Sequence, residues 1–396
     1  MKINYQEIDQ KHYLPTFKRF PLTITKGKGA HVWDDNGNEY IDALAGIAVS
    51  SLGHGHPKIV KAISEQAEKL IHISNFYLTP PQAKLTHKLT EISGMDRVFF
   101  ANSGAEANEG AIKIARKYAH AKGRGGEILS FEGCFHGRTM ATIAMGKDTM
   151  QKGFEPIPEG FKMLPFNDLK SVKESISENT AAIIVEPVQG EGGIYPAKKD
   201  FLQGLRKLCD IHDIVLIFDE IQCGMGRTGY FFAKDYFDVE PDILTSAKAL
   251  GSGVPVSAIL TNNKVAETLN PGDHGTTFGG NALATAAALA TVEAIEEEKL
   301  LDAAQEKGCW FITKMEERNP ESIGIKEIRG LGLMLGIEFN MEAKPVVEVM
   351  MKKGVLANAT AGNVLRIVPP LNIPYEDLEK VIDVIYQSAK EVKQHA

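Results

Sequence analysis

Four cysteines are all that the 396 residues contain, at Cys134, Cys209, Cys223 and Cys309, and no two form a CxxC pair. That spacing indicates neither a zinc site nor a redox dithiol, and no metal is expected. His54-Gly55-His56 lacks a third and fourth ligand at useful spacing, so with Gly53 and Pro57 around it the segment reads as a turn before a helix. Lysine and arginine form no long block, and the formal charge is −7, which leaves no nucleic-acid footprint. No apolar stretch approaches the roughly 20 residues that span a bilayer. The opening MKINYQEIDQKHYLPTF has no secretory apolar core and is too acidic for a typical transit peptide. The expected setting is the cytoplasm, away from membranes. Repeats, low-complexity tracts and Ser/Gly-rich linkers are also missing.

What is present reads as a globular enzyme-sized chain. Hydrophobic residues make up 43% and charged residues 24%, the balance of a soluble protein, and the length suggests two or three domains. Ala30–Trp33 and Tyr40–Ala43 flank Asp35-Asn36-Gly37-Asn38, a hairpin signal. From Pro57 the pattern turns helical through Ile59, Ile63, Ala67 and Leu70. Strand-like runs Val98–Ala101, Ile128–Phe131, Ala182–Val185, Ile214–Phe218 and Ile243–Thr245 then alternate with helices such as Glu106–Lys117 and Phe201–Asp210. Such alternation argues for a mainly parallel sheet wrapped by helices. Beyond residue 290 the texture changes. A helix over Ala282–Glu298 leads to strands within Ile328–Phe339 and at Val364–Val368, and a last helix starts near Tyr375. The boundaries expected are an N-terminal segment 1–52 joining a smaller α+β domain at 286–396, with a large domain at 53–285 and a firm interface between them.

The chemistry sits at the strand ends. Ile214–Phe218 delivers Asp219-Glu220, and Asp242–Thr245 delivers Ser246-Ala247-Lys248. Open α/β sheets bind ligands at those carboxyl ends. An amine there can form a Schiff base with an aldehyde, and a carboxylate can hold a pyridine nitrogen protonated, so the pair suits pyridoxal phosphate. Asn102-Ser103-Gly104-Ala105-Glu106 lies between a strand and a helix. The N–H groups of Ser103, Gly104 and Ala105 would face a phosphate; the same residues fit a capping box, and the two readings are compatible. In Cys134-Phe135-His136-Gly137-Arg138-Thr139, Phe135 can stack on a flat cofactor and Arg138 can take a carboxylate. Glu186, Gln189 and Glu191 follow another strand and can meet cations or polar ligand groups. Gly224-Met225-Gly226-Arg227-Thr228-Gly229 matches GxGxxG, but Asp219 and Glu220 intervene after the strand and Tyr230-Phe231-Phe232 follows in place of a helix start. A dinucleotide site is therefore not expected there.

Together these loops supply a phosphate cradle, a ring stacker, a pyridine-nitrogen partner, an amine and a carboxylate clamp. The chain resembles the class III (ω-) aminotransferases of fold type I over almost its whole length. The resemblance runs from Gly27-Lys28-Gly29-Ala30 and Trp33-Asp34-Asp35 through Leu52-Gly53-His54-Gly55-His56-Pro57 to Val364-Leu365-Arg366-Ile367-Val368-Pro369-Pro370-Leu371. Its most specific parts are Asp219-Glu220-Ile221-Gln222 with Gly226-Arg227-Thr228-Gly229, Ala247-Lys248-Ala249-Leu250 and His274-Gly275-Thr276-Thr277-Phe278-Gly279-Gly280-Asn281.

That resemblance implies a seven-stranded, mainly parallel sheet in the large domain, pyridoxal 5'-phosphate as cofactor, and a homodimer with shared sites. It implies that Lys248 holds the cofactor and moves the proton, and that Asp219 pairs with the ring nitrogen. Ser103, Gly104, Ala105 and the other subunit's Thr277 would bind phosphate. Phe135 and Ile221 would cover the ring faces, Glu220 would lie by the cofactor, and Gln222 would hold the ring hydroxyl. Arg138, Glu191, Thr276 and Arg366 would bind substrate, with Glu191 releasing Arg366 when glutamate enters. Within the family the likeness is greatest to members that move the δ-amino group of N2-acetylornithine to 2-oxoglutarate in arginine biosynthesis. Ornithine, succinylornithine and 4-aminobutyrate are the alternative donors, and an aminomutase or decarboxylase of the same fold is the alternative class. Ile47 stands where ornithine-specific members carry a tyrosine, and Phe17 and Phe135 stand where relatives carry tyrosine.

Overall fold

The computed structural model describes residues 3–395. Its largest sheet has strands β1 (Arg97–Ala101), β2 (Glu127–Phe131), β3 (Phe161–Leu164), β4 (Thr180–Val185), β5 (Val215–Asp219), β6 (Ile243–Ser246) and β7 (Ser257–Thr261). They lie side by side as β1-β7-β6-β5-β4-β2-β3. β7 runs antiparallel to both neighbours, and the other pairs are parallel. The expected mainly parallel sheet is therefore observed.

The apolar runs form buried strands because both faces are covered. Side chains alternate across a strand, and in β5 Leu216 and Phe218 pack on Leu202 and Leu205 of the helix Lys199–His212. Val215 and Ile217 turn the other way, onto Ala107, Ala111 and Ile114 of the helix Gly104–Ala121. Two strands of this sheet are not expected from the sequence. β3 is an edge strand with a half-exposed pattern, and β7 is a five-residue insert, Ser-Ala-Ile-Leu-Thr, without clear alternation.

Outside this sheet, Ile24–Lys28, His31–Asp34 and Glu39–Asp42 form a meander that pairs with Val355–Leu356 from the far end of the chain. A second four-stranded sheet joins Ile325–Leu331, Met334–Phe339, Val364–Ile367 and Asn358–Thr360 in that order. One apolar core runs from Ala30 and Ile41 through Leu244 to Leu365 and Ile382, so the two ends of the chain share their packing with the large sheet. The Gly224–Gly229 loop is a brace. Arg227 is fully buried and donates to the carbonyls of Leu333 and Pro369 at 3.1 and 2.5 Å and to Ser51 Oγ at 3.0 Å. His54 and His56 contact Asp42 and Glu298. Among the described residues no helix is long and apolar enough to cross a membrane.

Candidate active site

All strands but β7 point one way, so the loops after β1, β2, β4, β5 and β6 emerge at one edge of the sheet. A cavity of about 400 Å³ opens there. Its walls include Ser103, Gly104, Ala105, Phe135, Arg138, Glu186, Asp219, Ile221, Gln222 and Lys248.

Asp219 ends β5 and is 3% exposed. Its Oδ1 accepts the Ile221 N–H at 3.0 Å, and its Oδ2 accepts from Asn108 Nδ2 at 2.8 Å and meets His136 Nδ1 at 2.7 Å. Asn108 in turn accepts from Thr245 Oγ1 at 2.8 Å and donates to the His136 carbonyl at 2.8 Å. Burial works against the His136 imidazolium, but Cys134 and Asp219 outweigh it and lift its pKa well above the usual value. A carboxylate held by this many partners keeps one orientation.

Glu220 is a correction. Consecutive residues leaving a strand face opposite ways, so with Asp219 at the cavity Glu220 turns behind it. Its carboxylate accepts the N–H groups of Ala233 and Lys234 at 2.5 and 2.8 Å, and burial raises its pKa to about 8. It does not line the cavity.

Lys248 follows β6 at φ 42°, a left-handed conformation that costs a non-glycine residue about 1–2 kcal/mol. Among the described residues its amine has neither an ion-pair nor a hydrogen-bond partner. Burial lowers its pKa, against the pull of Asp219, so more of it is the neutral amine that nucleophilic chemistry needs.

The capping box and the anion cradle share the start of the helix Gly104–Ala121. Glu106 takes the N–H groups of Asn102 and Ser103 at 2.8 and 2.9 Å. The Ser103 N–H is thus unavailable to a phosphate, contrary to expectation, because the cap consumes it. The Gly104 and Ala105 N–H groups stay free of protein partners among the described residues, as first-turn donors do. Gly104 is required by close approach: a Cβ there would lie 2.8 Å from Ile221 Cδ1. Phe135 comes beside this cradle because Gly137, at φ 138°, lies where a Cβ would be 2.7 Å from that of Ala105. The exposed Arg138 guanidinium stands 5.5 Å from the Phe135 ring, with no carboxylate partner among the described residues. Glu186 ties two loops, accepting from Phe135 N at 3.0 Å and Gly190 N at 3.1 Å. Burial raises it to about 7, His136 pulling it down and Asp219 pushing it up.

Arg366 is fully buried on Val364–Ile367. Its Nη1 contacts Glu191 and, at 3.2 Å, Gln222 Oε1; its Nε donates to Asn358 Oδ1 at 3.0 Å. Gln189 instead braces loops, donating to the Glu132 carbonyl at 2.8 Å. Thr276 Oγ1 accepts from Asn102 Nδ2 at 3.3 Å, and Thr277 is exposed. Phe17 is 68% exposed under Arg19. Ile47 sits in a left-handed turn, and Val49, not Ile47, lines the cavity.

Asn108, Thr245, Asn358 and Val49 escaped the sequence reading. Asn108 had a signal: it is a polar residue on the apolar stripe of its helix, between Ala107 and Ala111. Asn358 had none, because its meaning depends on the strand opposite.

Comparison with known proteins places this geometry. The family model described as aminotransferase class-III matches residues 13–388. The acetylornithine aminotransferase of Methanocaldococcus jannaschii is 53% identical over 393 residues, covering 98% of this chain and 99% of that protein. An ornithine aminotransferase structure from Toxoplasma gondii, reported with partial occupancy of PLP at its active site, superposes with TM-score 0.95 at 36% identity, covering 99% of this chain and 95% of that one. The acetylornithine aminotransferase structure from Elizabethkingia anophelis gives TM-score 0.87 at 35% identity, with 98% of both chains covered.

Proposed function

The chain belongs to the class-III aminotransferases, and from that premise we propose that it moves the δ-amino group of N2-acetyl-L-ornithine to 2-oxoglutarate. The products are N-acetylglutamate 5-semialdehyde and L-glutamate, a step of arginine biosynthesis. The observation that carries this reading is one cavity lined by Lys248, an amine without a partner among the described residues, by Asp219, a fixed buried carboxylate, and by Arg138, with a second arginine, Arg366, behind its wall at Gln222.

The enzyme is pyridoxal-phosphate dependent. The residues fit that group on their own chemistry: among the described residues, an amine without a partner, first-turn N–H groups free of protein acceptors, and a carboxylate held in one pose. Bound there, the cofactor supplies an aldehyde for amines and a ring that takes up electrons as the substrate C–H bond breaks. Lys248 would hold the aldehyde. Displaced by the donor, the same amine would take the proton from the carbon bearing nitrogen. Asp219, held in place by His136 and Asn108, would pair with the ring nitrogen. Ser103 Oγ with the Gly104 and Ala105 N–H groups would bind phosphate. Phe135 and Ile221 would cover the ring faces and exclude water, and Gln222 would meet the ring hydroxyl.

Two substrates then share one pocket. Arg138, with no carboxylate partner among the described residues, would take the donor's α-carboxylate and later the side-chain carboxylate of glutamate. Arg366 would take glutamate's α-carboxylate, and Glu191 would cover it while the donor is bound, since a buried unpaired guanidinium is costly. Residues 53–285 carry the cofactor in this reading, and 1–52 with 286–396 carry Arg366. A second copy would complete the phosphate site through Thr277, with Thr276 lining the substrate site. Phe278 beside them is 62% exposed, and Phe76 and Leu78 are 93% and 94% exposed, an apolar surface that a partner would cover.

The test is spectroscopic and chemical. Wild type with pyridoxal phosphate should show a visible absorbance band that K248A lacks, and should form glutamate from acetylornithine and 2-oxoglutarate. A band without glutamate formation would remove the proposed reaction.

A further inference from the structure

Beyond the Glu191–Arg366 pair, one short strand holds both halves of it. Asn358 and Thr360 lie two residues apart on Asn358–Thr360 and therefore on the same face. The strand register sets Asn358 directly opposite Arg366, and Asn358 Oδ1 accepts the Arg366 Nε–H at 3.0 Å. Thr360 Oγ1 donates to the main-chain carbonyl of Glu191 at 2.7 Å. The guanidinium is fully buried, whereas the Glu191 side chain is 34% exposed. Gln222 Oε1 adds a second neutral acceptor at Nη1, and Nη2 is buried without a partner among the described residues.

We propose that Asn358 is a positioning residue that fixes Arg366 from behind, so that only the Glu191 side chain moves when a substrate carboxylate enters. The inference rests on the two-substrate reading above. An amide suits this place. It accepts from Nε without cancelling the charge, and leaves the two Nη groups facing an incoming carboxylate as a bidentate fork. A carboxylate at the same position would compete with the substrate, as Glu191 does. An apolar side chain would free the guanidinium to follow Glu191. Thr360 completes the arrangement by fixing the Glu191 main chain, so that the side chain swings about a set point.

The test uses the holoenzyme and follows each half-reaction separately by the cofactor absorbance, alongside calorimetric binding of glutarate, a non-reacting five-carbon dicarboxylate. In Asn358→Leu, glutarate affinity and the glutamate half-reaction should fall by about ten times more than the acetylornithine half-reaction, the scale of one hydrogen bond to a charged group. Asn358→Asp should weaken glutarate further than Asn358→Leu does. Asn358→Gln, which keeps the acceptor, should recover part of the loss. Equal losses in both half-reactions, or glutarate affinity within twofold of wild type in both Leu and Asp variants, would overturn the inference. If the Leu variant fails to fold, the Asp and Gln variants decide it by the same comparison. A wild-type enzyme that glutamate does not convert would instead overturn the underlying reaction.

Discussion

Lys248 and Asp219 are both set at the cavity by buried surroundings. Burial pushes the lysine toward its neutral, nucleophilic form, while the aspartate is held in one orientation by Asn108, His136 and the Ile221 N–H. Both residues were legible in the sequence because each stands within three residues of the end of an apolar run. Their supports were not, since Asn108 and Thr245 meet Asp219 only through tertiary packing. Replacing Asn108 with Ala should leave Asp219 one hydrogen bond short and Thr245 without its acceptor. A loss of about 1–3 kcal/mol is expected, read as weaker cofactor binding and a lower Tm. At the other end of the pocket, E191A should favour the glutamate half-reaction over the ω-amine one in single-turnover measurements. Equal loss of both would count against the gate.

Among the elements, some of the closest approaches between strand-end loops occur where glycine permits them. Gly137 lets the Phe135 loop touch the start of the helix Gly104–Ala121, and its φ of 138° disfavours any side chain. G137A should therefore push the stacking ring away from the cradle, at about 1–3 kcal/mol of overpacking and strain. Equilibrium dialysis of pyridoxal phosphate should show weaker binding, with secondary structure retained. The elements themselves were mostly readable: the five apolar runs expected for the large sheet became strands and shifted by no more than two residues at either end. β3 and β7 were hidden by an exposed edge and a short mixed pattern. The Ser103–Glu106 motif was read correctly as a cap, yet the cap takes one of the three N–H groups assigned to phosphate. Competition of that kind cannot be seen in a motif, because both readings use the same residues.

For the whole molecule, Arg227 shows how a motif can mislead. In a glycine-rich loop that imitates a nucleotide site, its guanidinium ties the carbonyls of Leu333 and Pro369 to Ser51. R227M should strand those carbonyls and cost about 3 kcal/mol in denaturant unfolding, with little change in cofactor absorbance at low temperature. Stability should also depend on pH. Glu186 and Glu220 have folded pKa values raised to about 7 and about 8 by burial, so the folded state binds their protons more tightly than the unfolded chain does. Their contribution is fully present below the ordinary carboxylate range and is lost as pH rises through those values. His136, also raised, acts in the same direction from its own ordinary value upward. The Tm of the holoenzyme should fall from about pH 5 to about pH 9; a flat or rising profile would contradict the burial assigned to these groups.

In the proposed reaction the donor would be selected by Arg138, by the Arg366–Glu191 pair and by the wall at Val49 together, and one comparison tests it most directly. With 2-oxoglutarate as acceptor, kcat/KM is measured for N2-acetylornithine, ornithine and 4-aminobutyrate on the same enzyme. The expected result is the highest value for N2-acetylornithine. A higher value for ornithine or 4-aminobutyrate would contradict the proposed reaction and leave the fold and cofactor site standing.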